Sequence, residues 1–404
     1  MPLNKIRIPK TVWILSLVSL FADFASEMLY PVVPVYLKDI GFSVALIGIL
    51  EGLAEFVVGL SKGYFGKRSD SIGLRLPFVK LGYFLSAVSK PLMAAFIFPA
   101  WIFGVRSVDR LGKGIRSAAR DALLSAASTP WNRGRIFNFH RGWDTVGAVL
   151  GPVAALAFLH WFPGNYRVLF VWALVPGLIS VALIYGLKEE KSDPGPPGKS
   201  GFFRYFHYWK EGSGEYRRLI SGLLIFSLAN SSDAFLLLQA KAITGSDTTT
   251  ILAYICYNLI YAVSAYPMGI LADHWGFKKV LITGLLVFVG VYAGFTFNHS
   301  TLGLYLLFGL YGIYAAATEG VSKAWISNLV PLNQTGTAIG LYTSCQSICA
   351  LLSSTVAGLI WASSGATYTF GIAAALAAVA ILRLFFTPFK SGKKGGDNPL
   401  ALSQ

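Results

Sequence analysis

Long apolar stretches set the first constraint on this chain. Thr11–Leu37, Val44–Phe65, Gly222–Ala240, Ile251–Leu271, Gly336–Trp361 and Ala366–Phe386 can each cross a bilayer as a helix, as can Val280–Phe297 with its flank. A spanning helix needs about 20 residues, and about twelve such spans fit the chain. Only 13% of the residues are charged, where a soluble domain carries about 25%. Mean hydropathy is +0.58. A transmembrane barrel would need alternating segments of about ten residues. These runs are continuous and rich in Leu, Ala and Gly, so the expected class is an all-α membrane protein. Met1–Lys10 is basic, but the first apolar run is too long for a cleavable signal and carries carboxylates. Cys256, Cys345 and Cys349 all fall inside expected spans and read as small packing residues.

A polar island interrupts this pattern twice. Gly66-Lys-Arg-Ser-Asp70-Ser-Ile-Gly73-Leu-Arg75 recurs about 200 residues later as Gly269-Ile-Leu-Ala-Asp273-His-Trp-Gly276-Phe-Lys278-Lys279, the offset of a duplicated transporter half. Both copies read Gly-x-x-[Ser/Ala]-Asp-x-x-Gly-x-[Arg/Lys]. One copy alone is a weak signal; two in matching places are strong. A second echo accompanies them: Pro331-Leu-Asn-Gln-Thr-Gly336 repeats Pro130-Trp-Asn-Arg-Gly134.

The net charge of +15 follows topology rather than a nucleic-acid partner. Lys5, Arg7, Lys10, Lys67, Arg68, Arg75, Arg133, Arg135, Lys278, Lys279 and Lys390 fall on one side if the spans alternate. So do the many Lys and Arg between the sixth and seventh spans. The opposite loops are nearly free of Lys and Arg. The positive-inside rule then puts both termini in the cytoplasm. The expected organisation is a six-helix bundle over residues 1–188 and a cytoplasmic linker over 189–217. A second, pseudo-symmetric six-helix bundle over 218–390 and a disordered tail over 391–404 complete it. Within the linker, Phe202–Trp209 reads as a short amphipathic helix at the membrane surface.

Charges inside the spans mark candidate function, because a carboxylate in a bilayer costs several kcal/mol unless it faces protein or a wet cavity. Asp23 and Glu27 lie one turn apart in the first span, and Glu51 and Glu55 one turn apart in the second. Asp233, beside Asn230, takes the corresponding place in the seventh. The fourth span is the most polar. Its Arg106, Asp109, Arg110 and Lys113 share one face, while Arg116, Arg120 and Asp121 read as its solvated end. The fifth span holds His140, Arg141 and Asp144, then Gly147, Gly151 and Pro152, which would narrow and bend it. Glu319 and Lys323 in the tenth stand one turn apart, the spacing of a self-neutralising pair.

Islands, duplication and basic linker together resemble the major facilitator superfamily over essentially the whole chain. Gly66, Asp70, Gly73 and Arg75 match its signature between the second and third spans, with Ser71 where a basic residue is usual. Gly269, Asp273, Gly276 and Lys278 match the second copy. The resemblance implies two six-helix bundles around a central cavity, moving by alternating access, with the islands as a cytoplasmic gating latch whose Asp engages a helix end. Gly147, Gly151 and Pro152 are similar to the motif of proton-coupled antiporters, although Ala154, Ala155 and Leu156 replace the glycines that normally follow.

The expected function is therefore secondary transport of a small organic solute, in the direction of proton-coupled export. Asp23, then Glu27, Asp233 and Glu55, would couple protons. Arg106, Asp109, Arg110, Lys113, Arg141 and Asn230 would line the substrate cavity. The alternative is proton-coupled uptake of an anionic or siderophore-like metabolite, since Arg106, Arg110 and Lys113, with Lys62, Lys90 and Arg141, would suit an anion. A sensor with a transporter-like fold is a third class. No catalytic residues, cofactor or metal are expected. The chain has no phosphate loop of the Gly-x-x-x-x-Gly-Lys-[Ser/Thr] form, and its five histidines lack ligand spacing. The expected partners are the solute, protons and the lipid bilayer, with the chain acting as a monomer in the plasma membrane (the inner membrane of a Gram-negative cell).

Overall fold

The computed structural model describes residues 7–30, 32–42, 44–189, 191, 193 and 201–388. Side chains at 34, 35, 38, 44–56, 247 and 248 lie outside that description. The expected tail, and residues 194–200 of the linker, also lie outside the described residues.

The described residues form helices throughout. The first span is α1 (Lys10–Leu29) with α2 (Val32–Asp39), and the second to fifth are α3 (Val44–Ile72), α4 (Leu76–Leu92), α5 (Pro99–Ala126) and α6 (Arg133–Trp161). The sixth is split into α7 (Tyr166–Trp172) and α8 (Leu174–Ile184). A 3₁₀ turn, Phe202–His207, and α9 (Tyr208–Glu211) follow. The seventh span is α10 (Gly214–Ala229) with α11 (Ala234–Thr244). The rest are α12 (Asp247–Trp275), α13 (Phe277–Phe297), α14 (Thr301–Asn328), α15 (Thr335–Ser364) and α16 (Ala366–Phe386). Among the described residues nine segments are long and apolar enough to cross a membrane by themselves. The spans α3, α4 and α5 complete the set of twelve. The chain is a multi-pass membrane protein built as two six-helix bundles.

Local chemistry explains where helices begin. The hydroxyls of Ser213, Ser246 and Ser300 accept the backbone N–H groups of Tyr216, Thr249 and Gly303 at 3.1, 3.2 and 3.0 Å, capping α10, α12 and α14. No side chain local to α4 caps it. The carboxylate of Glu189, just past the sixth span, accepts the N–H groups of Arg75 at 2.9 Å and Leu76 at 2.6 Å. An anion at a helix N-terminus meets both its free donors and its dipole.

Within the first bundle α1 packs along α6, and α5 lies between α3 and α4. Gly147 and Gly151 face the backbone of Leu20, Phe24 and Met28, where a Cβ would collide. They set the close approach of α1, and α6 runs unbroken through Pro152. Between bundles, α3 lies against α15, and α6 against α12 and α14. Outward faces are apolar, with Leu302, Leu359, Val263 and Phe386 exposed, as a lipid-facing surface requires.

The linker departs from the surface helix expected of it. Phe202 and Phe203 are exposed, but Tyr205 and Tyr208 are buried. The Tyr205 ring lies on Gly63 of α3, where no methyl would fit, and Lys67 donates to the Arg204 carbonyl at 3.5 Å. The 3₁₀ turn and α9 both touch α15 as well, so this segment docks into the α3–α15 seam.

Candidate functional site

Each island ends its helix in the same way. Gly73 and Gly276 have φ of +73° and +92°, a left-handed backbone that a residue with a Cβ adopts only under strain. The aspartate one turn earlier points across the molecule. Asp70 Oδ2 accepts the Thr337 N–H at 2.6 Å and its hydroxyl at 2.9 Å. Asp273 accepts the N–H groups of Gly134 at 2.8 Å and Arg135 at 3.0 Å. Each bundle's island thus caps the N-terminus of a helix in the other bundle: α3 caps α15, and α12 caps α6. Gly66 meets the backbone of Gly336, and Gly269 that of Gly134, too closely for any side chain. The second sequence echo marks these capped ends.

The basic residues of the two islands differ. Arg75 Nη2 lies 3.4 Å from Asp70 and donates to the Leu332 carbonyl of the opposite bundle at 2.6 Å. Lys278 instead donates to the carbonyls of Phe385 and Thr387 at 2.9 and 3.0 Å, staying within its own bundle. Further bonds tie the same end: Arg133 donates to the Ser327 carbonyl at 2.6 Å, and Ser125 meets Ser327 hydroxyl to hydroxyl.

Above this tied end lies a cavity of about 260 Å³ between the bundles. Its wall carries Lys62, Lys113, Arg116, Arg120, Arg141 and Lys323, against Asp23, Asp144 and Glu319. Ser117, Tyr342, Thr343 and Gln346 complete it. Asp144 accepts Arg141 and the Ser19 hydroxyl, and Ser19 accepts Arg120 Nη1 at 3.0 Å. Arg120 lies 4.0 Å from Asp144 and 3.3 Å from Asp121. Asp23 lies on the same wall.

Two ion pairs join the bundles beside the cavity. Arg141 reaches Glu319 at 2.5 Å and donates to Tyr261 at 2.7 Å. Lys323 reaches Asp121 at 2.7 Å. Glu319 and Lys323 therefore do not neutralise each other; each faces a partner in the first bundle. Arg116, Arg120 and Asp121 are likewise not a solvated helix end, being only 3, 8 and 2% exposed. The surrounding Ala118, Ala119 and Ala122 carried the signal, because runs of small residues mark packed helix faces.

The remaining candidates divide between two other places. Glu27, Arg106, Asp109 and Arg110 line a second, small pocket of about 40 Å³ inside the first bundle, where Lys113 and Arg116 also reach. There Asp109 accepts Ser86 at 2.6 Å and lies 3.6 Å from the buried Lys90, so Lys90 serves Asp109 rather than the central cavity. Asp233 sits at the break between α10 and α11 and accepts the Tyr311 hydroxyl at 2.7 Å. Neither Asp233 nor Asn230 is among the residues lining the central cavity. Glu55 lies on α3, and its side chain is outside the described residues. Among the described residues no group of three or more His, Cys, Asp and Glu is placed to hold a metal.

Comparison with known proteins agrees with this architecture. The sequence pattern of the Major Facilitator Superfamily matches residues 15–240 and 219–402. An uncharacterised MFS-type transporter of Methanocaldococcus jannaschii is 34% identical over 391 residues, covering 95% of this chain and 96% of that protein. The multi-drug resistance efflux pump PmrA of Streptococcus pneumoniae is 26% identical over 174 residues, 42% of this chain and 43% of the pump. Among solved structures, the human organic anion transporter MFSD10 superposes with a TM-score of 0.76 at 17% identity, over 93% of this chain and all of that one.

Proposed function

This chain belongs to the major facilitator superfamily of transporters, and we propose that it exports a small organic solute by proton-coupled alternating access. The observation that carries this reading is the chain of charges from Asp144 through Arg141 to Glu319 of the opposite bundle, with Asp23 on the same cavity wall. A proton passed from Asp23 to Asp144 neutralises that carboxylate and loosens its hold on Arg141 and Arg120. Loss of that proton restores the negative charge and draws the guanidinium groups back. Because Arg141 also spans to Glu319, the proton's presence alters a contact between the bundles, and proton movement is thereby linked to their rocking. Asp23 is the first coupling residue, with Glu27, Asp233 and Glu55 behind it.

The two islands act as the latch of the closed end. Their aspartates cap helices across the seam, and opening that end breaks both caps together with Arg75–Leu332 and Arg133–Ser327. In this reading the latch, both termini and the linker of 189–217 are cytoplasmic, and the protein acts as a monomer in the plasma membrane. The export direction draws on the partial similarity to the pneumococcal efflux pump.

The test is flux into proteoliposomes under an imposed pH gradient, with a panel of cationic and anionic compounds. The wild type moves its solute only when the gradient is present. Asp23→Asn is expected to abolish gradient-driven flux, more than tenfold, with unchanged folding by thermal melting. Wild-type coupling in that variant would remove Asp23 from the mechanism, and absence of any flux in the wild type would remove the transport reading.

A further inference from the structure

Arg116 is the one cavity residue whose surroundings ask for a partner of a definite charge. Its side chain is 3% exposed, and its guanidinium stacks over the Tyr83 ring at 4.4 Å. Its Nη1 is fully buried without a hydrogen-bond partner among the described residues. Every other arginine described on the cavity wall is engaged: Arg120 by Asp121 and Ser19, Arg141 by Asp144, Glu319 and Tyr261. A buried guanidinium donor without an acceptor is costly. Such a group on a cavity wall is one that a water, an ion or a ligand can complete.

Lys113 stands one turn earlier on α5, and both residues line the central cavity and the small pocket behind it. Their positions are set by the backbone. Gly112 fits against Gly82 of α4, and Gly114 against Ser61 of α3, with no room for a side chain at either. The helix is thus clamped on both sides at the level of Lys113 and Arg116, so the backbone that carries the two cations is held before any ligand arrives. Around them, cavity-lining cations outnumber cavity-lining carboxylates two to one among the described residues.

We propose that Arg116 and Lys113 form a seat for the acidic head of a small organic anion, the cargo of the cavity described above. This inference rests on the transport reading for the word cargo, but the seat itself does not. Turned from Tyr83 toward the cavity, the guanidinium offers a bidentate fork to a carboxylate, sulfonate or phosphonate, and Lys113 adds a second charge. The body of the anion then lies in the cavity against Tyr342, Thr343 and Gln346. A volume of about 260 Å³ falls just under the ~300–1,000 Å³ of drug-sized sites, so the cargo is compact.

The test separates binding from movement. Full-length protein in lipid nanodiscs is titrated calorimetrically with a matched aromatic series: phenylphosphonate, benzenesulfonate, benzamide and benzyltrimethylammonium. The same compounds are followed across proteoliposome membranes under pH gradients of either sign. Phenylphosphonate and benzenesulfonate are expected to bind, and the neutral and cationic members are not. Arg116→Gln should weaken phenylphosphonate at least tenfold, Lys113→Gln severalfold, and Arg116→Lys should recover part of the loss. Without ligand, Arg116→Gln should melt no lower than the wild type, since it removes an uncompensated buried charge. A merely structural arginine would instead lower the melting temperature. If Arg116→Gln does not fold, the Lys113→Gln and Arg116→Lys titrations read the same seat.

Binding by benzamide or benzyltrimethylammonium as tight as that of the anions would overturn the seat, as would unchanged anion binding in Arg116→Gln or binding by no member. Anions that bind but never cross would keep the seat and sink the transport reading. A cation that crosses while the anions do not would keep transport and sink the seat.

Discussion

The two islands share spacing, backbone and first task, yet they hold the molecule with different strength. Both turn on a left-handed glycine, and both send an aspartate to the N-terminus of a helix in the other bundle. Around Asp70 the contact is layered. The Thr337 hydroxyl adds to its N–H, Arg75 adds charge, and that same arginine bonds Leu332 across the seam. Asp70 and Arg75 are almost wholly buried, at 2 and 3% exposed. Asp273 has two backbone donors, is half-buried, and its basic neighbour Lys278 turns away to α16. Duplication preserved the turn and the cap, which depend on local geometry. What it did not preserve is the surroundings, and those decide how many bonds each cap gathers.

The largest expected effect separates the two aspartates. Asp70→Ala leaves Arg75 buried without its carboxylate, a loss of roughly 3–5 kcal/mol in the tied arrangement. Asp273→Ala removes a helix cap, about 1 kcal/mol. Spin labels placed on either side of the α3–α15 and α6–α12 seams would report this as distance distributions. The first variant should shift a large share of molecules to a separated end, and the second a small one. Equal shifts would mean that the burial of Arg75 and Asp70 adds nothing, and the contrast between the islands would collapse.

A smaller effect tests the layering itself. Thr337→Val keeps the backbone N–H on Asp70 and deletes the hydroxyl bond at 2.9 Å, about 1 kcal/mol. It makes the first cap resemble the second, which uses backbone donors alone. Its seam distances should fall between those of the wild type and Asp70→Ala. Distances as wide as those of Asp70→Ala would show that the hydroxyl, rather than the buried pair, carries the extra strength.

The islands were legible in the sequence because tight turns and caps demand particular residues at fixed spacing. The twelve spans were legible for a similar reason, since a bilayer sets helix length. The echo of Pro130–Gly134 in Pro331–Gly336 was visible too, but nothing in it said that these ends receive the islands' aspartates. The site was read less well because ion pairing between helices leaves no periodic trace. Glu319 and Lys323 have the spacing of a local pair, yet they point at Arg141 and Asp121. Arg116, Arg120 and Asp121 looked like a wet helix end, but α4 covers Arg116, α1 and α6 meet Arg120, and α14 meets Asp121. Asp23 and Arg141, which line the cavity, stood out in the sequence because a charge inside an apolar run is conspicuous wherever it points. The central part of Asp144 and Arg120 emerged only from packing.

The smallest expected effect returns to the basic residue of each island. Lys278 sits where Arg75 sits in the first copy, but its ammonium closes the C-terminal carbonyls of α16 at Phe385 and Thr387. A cation there complements the end of a helix dipole. Lys278→Met keeps the aliphatic stem and deletes the bonds, so thermal stability should fall by about 0.5 kcal/mol with the seam distances unchanged. Arg75→Met, the matching change in the first copy, should widen the α3–α15 distances, because it removes a bond between bundles as well as the charge beside Asp70. If Lys278→Met also widens a seam, the second island holds the tied end through α16, and the difference between the two copies is one of route rather than of strength.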